Sequence, residues 1–176
     1  MRLFTAIDIP AEMMDQLGEF LARLRPLANL RWSSVENLHV TTKFIGEWPE
    51  ARLEEMKTSL LGVKQTEPIR VSIRGVGWFP DLRHPTVFWA GVDGGEPLAK
   101  LARSTEQAVS KIGVPMEKRA YSPHLTLARV KYSVPLEDLL NSAGDPDFGA
   151  FQATSFSLYV SANGKYSKLA EFPFHS

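Results

Sequence analysis

The chain contains no cysteine, which excludes a disulfide scaffold, a thiol nucleophile and a thiolate metal site. It has no apolar run of the roughly 20 residues that a membrane-spanning helix needs. Its opening, Met1-Arg2-Leu3-Phe4-Thr5-Ala6-Ile7-Asp8, leads into a proline and an acidic amphipathic stretch and not into a signal-peptide core. The expectation is a cytoplasmic protein, neither exported nor membrane-bound. Net charge is also missing: 20 Lys and Arg balance 20 Asp and Glu. Without an overall positive field, any nucleic-acid contact is expected to be local. Metal-ligand spacings such as His-Glu-x-x-His and Asp-rich loops do not occur, so no metal and no cofactor are expected. There is no Gly-x-Ser-x-Gly elbow for a serine hydrolase and no Gly-x-x-x-x-Gly-Lys-Ser/Thr loop for ATP.

Against these absences stands a duplication. The phrases His39-Val40-Thr41-Thr42 and His124-Leu125-Thr126-Leu127 occur in a chain of 176 residues that has only four histidines. On a strand, residues i and i+2 share a face, so each phrase presents an imidazole beside a hydroxyl. An imidazole gives or takes a proton near neutral pH, and a threonine hydroxyl donates to a phosphate oxygen. Two such units facing each other would make an acid–base pair around one phosphate. A single histidine on a strand is more often structural, and the repetition is what favours chemistry here. His84, in the turn between Arg83 and Pro85, and the penultimate His175 are read as bystanders.

The surroundings of the two phrases repeat as well. Leu3 to Ile7 reads as a strand, and Met13, Met14, Leu17, Phe20, Leu21 and Leu24 recur at helical spacing, with Pro10 in the first turn and Pro26 at the end. The first His-Thr strand follows over Leu38 to Ile45. In the second half, Thr86 to Val92 reads as a strand, Pro97 to Ile112 as an amphipathic helix, and residues 122–130 as the second His-Thr strand. Asp8 precedes His39 by 31 positions, and Asp93 precedes His124 by the same 31. The inference is a duplicated strand–helix–strand unit related by a pseudo-twofold. Between the units, Glu50 to Leu61 is helix-like and Ile69 to Val76 alternates apolar with polar residues. Thr154 to Val160 and Tyr166 to Phe174 flank Asn163-Gly164, a strong hairpin signal. The fold class expected is α+β, with antiparallel sheets and helices packed outside them, residues 1–176 forming one domain.

Three segments carry a family resemblance: Arg2 to Pro10, Arg31-Trp32 before Glu36 to Glu47, and Tyr121 to Arg129. With Gly77-Trp78-Phe79-Pro80 and the closing hairpin, the chain resembles the 2H phosphoesterases. Within them it most resembles the RNA 2′,3′-cyclic phosphodiesterases also called 2′-5′ RNA ligases. Thr42 departs from the family pattern, which has an apolar residue there, at a position expected to face away from the site. The resemblance implies a bilobal fold with the site in a central cleft. It implies metal-independent hydrolysis of RNA 2′,3′-cyclic phosphate ends, or of small cyclic nucleotides, to a 2′-phosphate. His39 then matches the proton donor, His124 the proton acceptor, and Thr41 and Thr126 the hydroxyls that hold phosphate oxygens. Arg129 lies five residues after His124, an odd offset that on a regular strand turns it to the opposite face; only a bulge or the strand end would bring its guanidinium to the phosphate. Phe4 and Phe44 are expected in the core, while Trp32 and Tyr121 could pack or stack on a base. Other readings are reversible 2′-5′ RNA joining, cleavage of another 2′-5′ or cyclic nucleotide bond, and a non-catalytic module that binds RNA ends. The balanced charge suggests a monomer that reads a few terminal nucleotides.

Overall fold

A computed structural model describes residues 1–175. The elements run β1 (Arg2–Ile7), α1 (Ala11–Leu24), β2 (Arg31–Trp32), β3 (Val40–Glu47), α2 (Leu53–Leu61), β4 (Ile69–Phe79), β5 (Val87–Asp93), α3 (Gly95–Ser110), β6 (His124–Arg129), α4 (Glu137–Ala143), β7 (Asp147–Ala153), β8 (Ser155–Ala162) and β9 (Lys165–Pro173). They form two sheets, ordered β3-β1-β8-β9 and β2-β6-β5-β4-β7, and every neighbouring pair is antiparallel. Removing the two-residue β2 leaves β6-β5-β4-β7, which maps strand for strand onto β3-β1-β8-β9. This is the pseudo-twofold inferred from the duplicated unit.

The helices form where the apolar spacing demands them. Met13, Leu17, Phe20, Leu21 and Leu24 bury one face of α1, each contributing about 1.5–3 kcal/mol of transfer free energy before entropy is charged. Pro26 sits in a 3₁₀ turn at Arg25–Leu27 that ends the helix. Each unit's helix reaches the other lobe: α1 lies against α4 and β7, and α3 against β3. The two sheets accordingly share one hydrophobic core that includes Leu3, Ile7, Val40, Ile73, Phe88, Leu125 and Phe156. A buried cation ties the lobes further. Nζ of Lys43 on β3 donates to Glu106 of α3 and to the Pro115 carbonyl, both at 3.1 Å. Among the described residues no helix is long and apolar enough to cross a membrane.

The β8–β9 hairpin turns on Asn163 and Gly164, at φ 54° and 76°, the left-handed pair that a two-residue type I′ turn requires. Two elements went unread in the sequence, α4 and β7. The reason for β7 is a bulge: Ser72 pairs with Ala150 but Arg74 with Asp147, and the extra residue is absorbed around Gly149 at φ 91°. Phe148 and Phe151, three residues apart, therefore do not follow the simple alternation that marks a strand.

Candidate active site

His39 lies one residue before the regular pairing of β3, later than the strand start expected at Leu38. Val40 pairs with Ile7 and enters the core, so His39 and Thr41 point the other way, towards a small separate cluster of Phe4, Ala6 and Tyr159. The approach to His39 is fixed by contacts across the molecule. Ser33 bonds through its N–H to the Leu127 carbonyl at 2.9 Å and through its hydroxyl to the Thr126 carbonyl at 2.8 Å, both on β6. Asn37 donates to the Gly164 carbonyl in the hairpin turn at 2.9 Å.

The His39 side chain is only 10% exposed and is walled by Tyr159, Tyr166 and Phe4, with ring centroids 4.4, 6.0 and 6.3 Å away. Its Nε2 lies 3.8 Å from a carboxylate oxygen of Asp8. Asp8 in turn accepts hydrogen bonds from the Tyr159 hydroxyl and the Lys168 ammonium. Burial pushes the imidazole below its ordinary value of 6.5; the Asn37 carbonyl and Asp8 pull it back up, and Lys168 adds to the depression. Among the described residues Nδ1 has no partner of standard hydrogen-bond geometry, so the Asn37 carbonyl acts on the ring as a nearby dipole.

His124 opens β6, with Leu125 and Leu127 in the core and His124 and Thr126 on the opposite face. Its Nδ1 is 3.0 Å from the Ser122 carbonyl. A carbonyl only accepts, so in the neutral ring Nδ1 carries the proton and Nε2 keeps its lone pair. Phe79 meets the ring edge-on at 5.1 Å and Trp89 supports Phe79 at 5.2 Å. Gly77 makes room for this stack, because a Cβ there would lie 2.1 Å from Trp89. The two motifs are stitched together by Tyr121, whose hydroxyl donates to the Thr41 carbonyl at 2.7 Å and is held protonated by burial. Among the described residues the Thr41 and Thr126 hydroxyls have no protein partner.

Both His-Thr strands carry a bulge at the same place. On β3, Ala6 pairs with Thr41 but Thr5 with Lys43, leaving Thr42 as the extra residue. On β6, Trp89 pairs with Thr126 but Phe88 with Ala128, leaving Leu127 as the extra residue. Two consecutive side chains then turn inward, Thr42 and Lys43 in one strand and Leu127 and Ala128 in the other. Everything beyond changes parity. Arg129 is thereby returned to the face of His124 and Thr126, where it is exposed. The odd offset in the sequence pointed it to the other face, and the bulge reverses that. Phe44, five residues after His39, occupies the equivalent place. It is 64% exposed, beside Phe4 at 6.3 Å, and not in the core as expected. Thr42 does face away from the site, and its hydroxyl is satisfied by Thr5 at 2.7 Å.

The equal Asp–His spacings do not mark equivalent positions. Continuing the Ile7–Val40 register sets Asp8 opposite His39, whereas the residue opposite His124 is Gly91. Asp93 lies two residues further on and accepts from the Gly95 N–H at the start of α3. His84 is also followed two residues on by a threonine, but both are exposed in the loop. The His84 N–H is bonded to Asp81 and the Thr86 hydroxyl to the Phe79 carbonyl. Trp32 packs edge-on against Phe88 and its indole N–H is taken by the Ala28 carbonyl. Tyr159, Tyr166 and Lys168 were missed in the sequence; their signal lies only in the hairpin alternation. Among the described residues no group of three or more His, Cys, Asp or Glu is arranged to hold a metal ion.

Comparison with known proteins places these features in a family. The LigT like Phosphoesterase family model matches residues 7–89 and 92–166, each stretch containing one His-Thr strand. The RNA 2′,3′-cyclic phosphodiesterase of Methanocaldococcus jannaschii is 34% identical over 164 residues, covering 92% of this chain and 91% of that protein. That of Archaeoglobus fulgidus is 32% identical over 159 residues, covering 90% and 89%. The crystal structure of TT0787 of Thermus thermophilus superposes with a TM-score of 0.83 at 28% identity, over 99% of this chain and 98% of that one. Escherichia coli LigT complexed with 3′-AMP gives 0.80 at 27%, with the same coverage. Matched in both halves, the chain belongs to the LigT-like phosphoesterases of the 2H superfamily and is an enzyme of that family.

Proposed function

We propose that this protein hydrolyses the 2′,3′-cyclic phosphate at an RNA 3′ end to a 2′-phosphate, using His39 as acid and His124 as base and requiring no metal. The observation that carries the reading is the inequality of the two imidazoles. His124, with its Nδ1 proton engaged by Ser122, offers a lone pair at Nε2, which suits removal of a proton from water. His39 presents Nε2 beside the Asp8 carboxylate, which works against the depression that burial imposes and, together with a bound anionic phosphate, suits the ring to hold a proton and donate it to a departing oxygen. In the reaction, water attacks phosphorus as His124 takes its proton, the bond from phosphorus to the 3′-oxygen breaks, and His39 protonates that oxygen. A 3′-hydroxyl and a 2′-phosphate result. The Thr41 and Thr126 hydroxyls donate to the non-bridging oxygens, and Arg129 offsets the charge that builds on them.

The relatives named RNA 2′,3′-cyclic phosphodiesterase, and the relative crystallised with 3′-AMP, support the substrate class. The test is incubation of a short RNA ending in a 2′,3′-cyclic phosphate with the protein in excess EDTA, with 2′- and 3′-phosphate products resolved. Formation of the 2′-phosphate is expected. A joined strand would support 2′-5′ ligation instead, and tight binding without turnover at any pH would support an RNA-end binding module.

A further inference from the structure

Arg31 and Arg129 stand directly opposite each other where β2 pairs with β6. Their neighbours Trp32 and Ala128, also paired, face the core, so both arginines lie on the opposite face, the one that carries His124 and Thr126. Both are exposed. Like charges directly opposite on a sheet destabilise it, and a fold normally relieves such a pair with a nearby carboxylate. Among the described residues neither guanidinium has an ion pair or a side-chain hydrogen bond. Two uncompensated guanidinium-bearing side chains therefore project from paired positions on the face that carries His124 and Thr126, and planar forks of this kind suit phosphate oxygens.

Building on the phosphodiesterase reading, we propose that Arg31 binds the phosphodiester immediately upstream of the terminal nucleotide, while Arg129 serves the reacting phosphate. A substrate with one phosphate leaves Arg31 idle; an RNA of two or more nucleotides engages it. Arg31 is then a specificity-determining residue that makes the enzyme prefer RNA ends to cyclic mononucleotides. The net charge of zero fits recognition of this kind, through one placed contact and not a broad positive field.

The experiment compares wild type with Arg31→Ala and Arg31→Gln on a nucleoside 2′,3′-cyclic monophosphate and on a dinucleotide ending in the same group. The expected result is a wild-type preference for the dinucleotide, reduced on the order of tenfold more for the dinucleotide than for the mononucleotide in both variants. The plot of log kcat/KM against log salt for the dinucleotide should also flatten by about 0.7, the value of one single-strand phosphate contact. Thermal midpoints should not fall, since the substitution removes a repulsion. Equal losses on both substrates, or an unchanged salt slope, would overturn the assignment. Fluorescence anisotropy with a labelled RNA ending in a 3′-phosphate reads the same contact without turnover. If wild type hydrolysed neither substrate, the phosphodiesterase reading would fail, and the anisotropy slope in Arg31→Ala would by itself decide the role of Arg31.

Discussion

Replacing Arg129 with alanine tests whether the bulge at Leu127 has a functional consequence. The guanidinium is exposed and, among the described residues, has no partner in the protein. Its removal should therefore change stability by no more than about 0.5 kcal/mol, the range of surface substitutions without special contacts. Its proposed partner is a phosphate oxygen. A hydrogen bond to a charged group contributes about 1.5–3 kcal/mol, which converts to a loss of roughly 10- to 150-fold in kcat/KM. Arg129→Lys keeps the charge but not the fork and should recover part of the rate. Steady-state kinetics on an RNA 2′,3′-cyclic phosphate end, beside urea unfolding of each variant, separates the two effects. A kcat/KM within twofold of wild type would exclude a contact between Arg129 and the reacting phosphate. A loss of several kcal/mol of stability would mean instead that the side chain supports packing around Leu127 and Ala128.

Other consequences follow from the same geometry. His39 must be protonated to act as acid, and in the free protein its pKa lies below 6.5; raising pH through that value removes the proton. NMR titration should therefore place the His39 midpoint below 6.5 in the free protein and higher with a bound nucleotide phosphate, whose negative charge holds the proton; a free-protein midpoint above 6.5 would overturn the burial argument. Asp8→Asn removes a group that raises the His39 pKa and leaves Lys168, which lowers it. NMR titration should show the His39 midpoint falling further, and an unchanged midpoint would rule out the Asp8 coupling. Lys43 is 3% exposed and Glu106 20%, so Lys43→Met leaves a partly buried carboxylate without its cation, held only by the Glu117 N–H, and should cost about 3 kcal/mol in urea unfolding. Adding Glu106→Leu should recover most of that loss. Phe44→Ala, at an exposed position on the site face, should raise KM for RNA ends with kcat and the unfolding midpoint little changed, since base stacking contributes about 1–3 kcal/mol; an unchanged KM would return Phe44 to a purely structural role.

The sequence made the duplicated unit readable because strand alternation and helical spacing are local signals. Leu3 to Ile7, Met13 to Leu24 and the two His-Thr phrases each declare their faces within a few residues. What could not be read there are the shifts of parity. A bulge adds one residue without any local mark in Thr41-Thr42-Lys43 or Thr126-Leu127-Ala128, yet it decides where Phe44 and Arg129 point. The same holds for the surroundings of His39. Asp8 meets Tyr159 and Lys168 across 151 and 160 positions of sequence, contacts set by sheet order and not by any local pattern. The matched spacing from Asp8 and Asp93 carries the opposite lesson. It pointed correctly to a repeated unit, but the pairing register makes Gly91, and not Asp93, the counterpart of Asp8. One lobe therefore has a carboxylate beside its histidine and the other does not, and this asymmetry underlies the acid and base assignments.

The most direct test of the central claim is the rate of His39→Ala and of His124→Ala on an RNA 2′,3′-cyclic phosphate end in excess EDTA, with product identity and thermal unfolding followed alongside wild type. The two-histidine mechanism predicts that wild type yields only the 2′-phosphate and that each variant remains folded but loses on the order of 10²- to 10⁴-fold in rate. A folded variant of either histidine that retains near-wild-type turnover, or a 3′-phosphate as the main product, would contradict it.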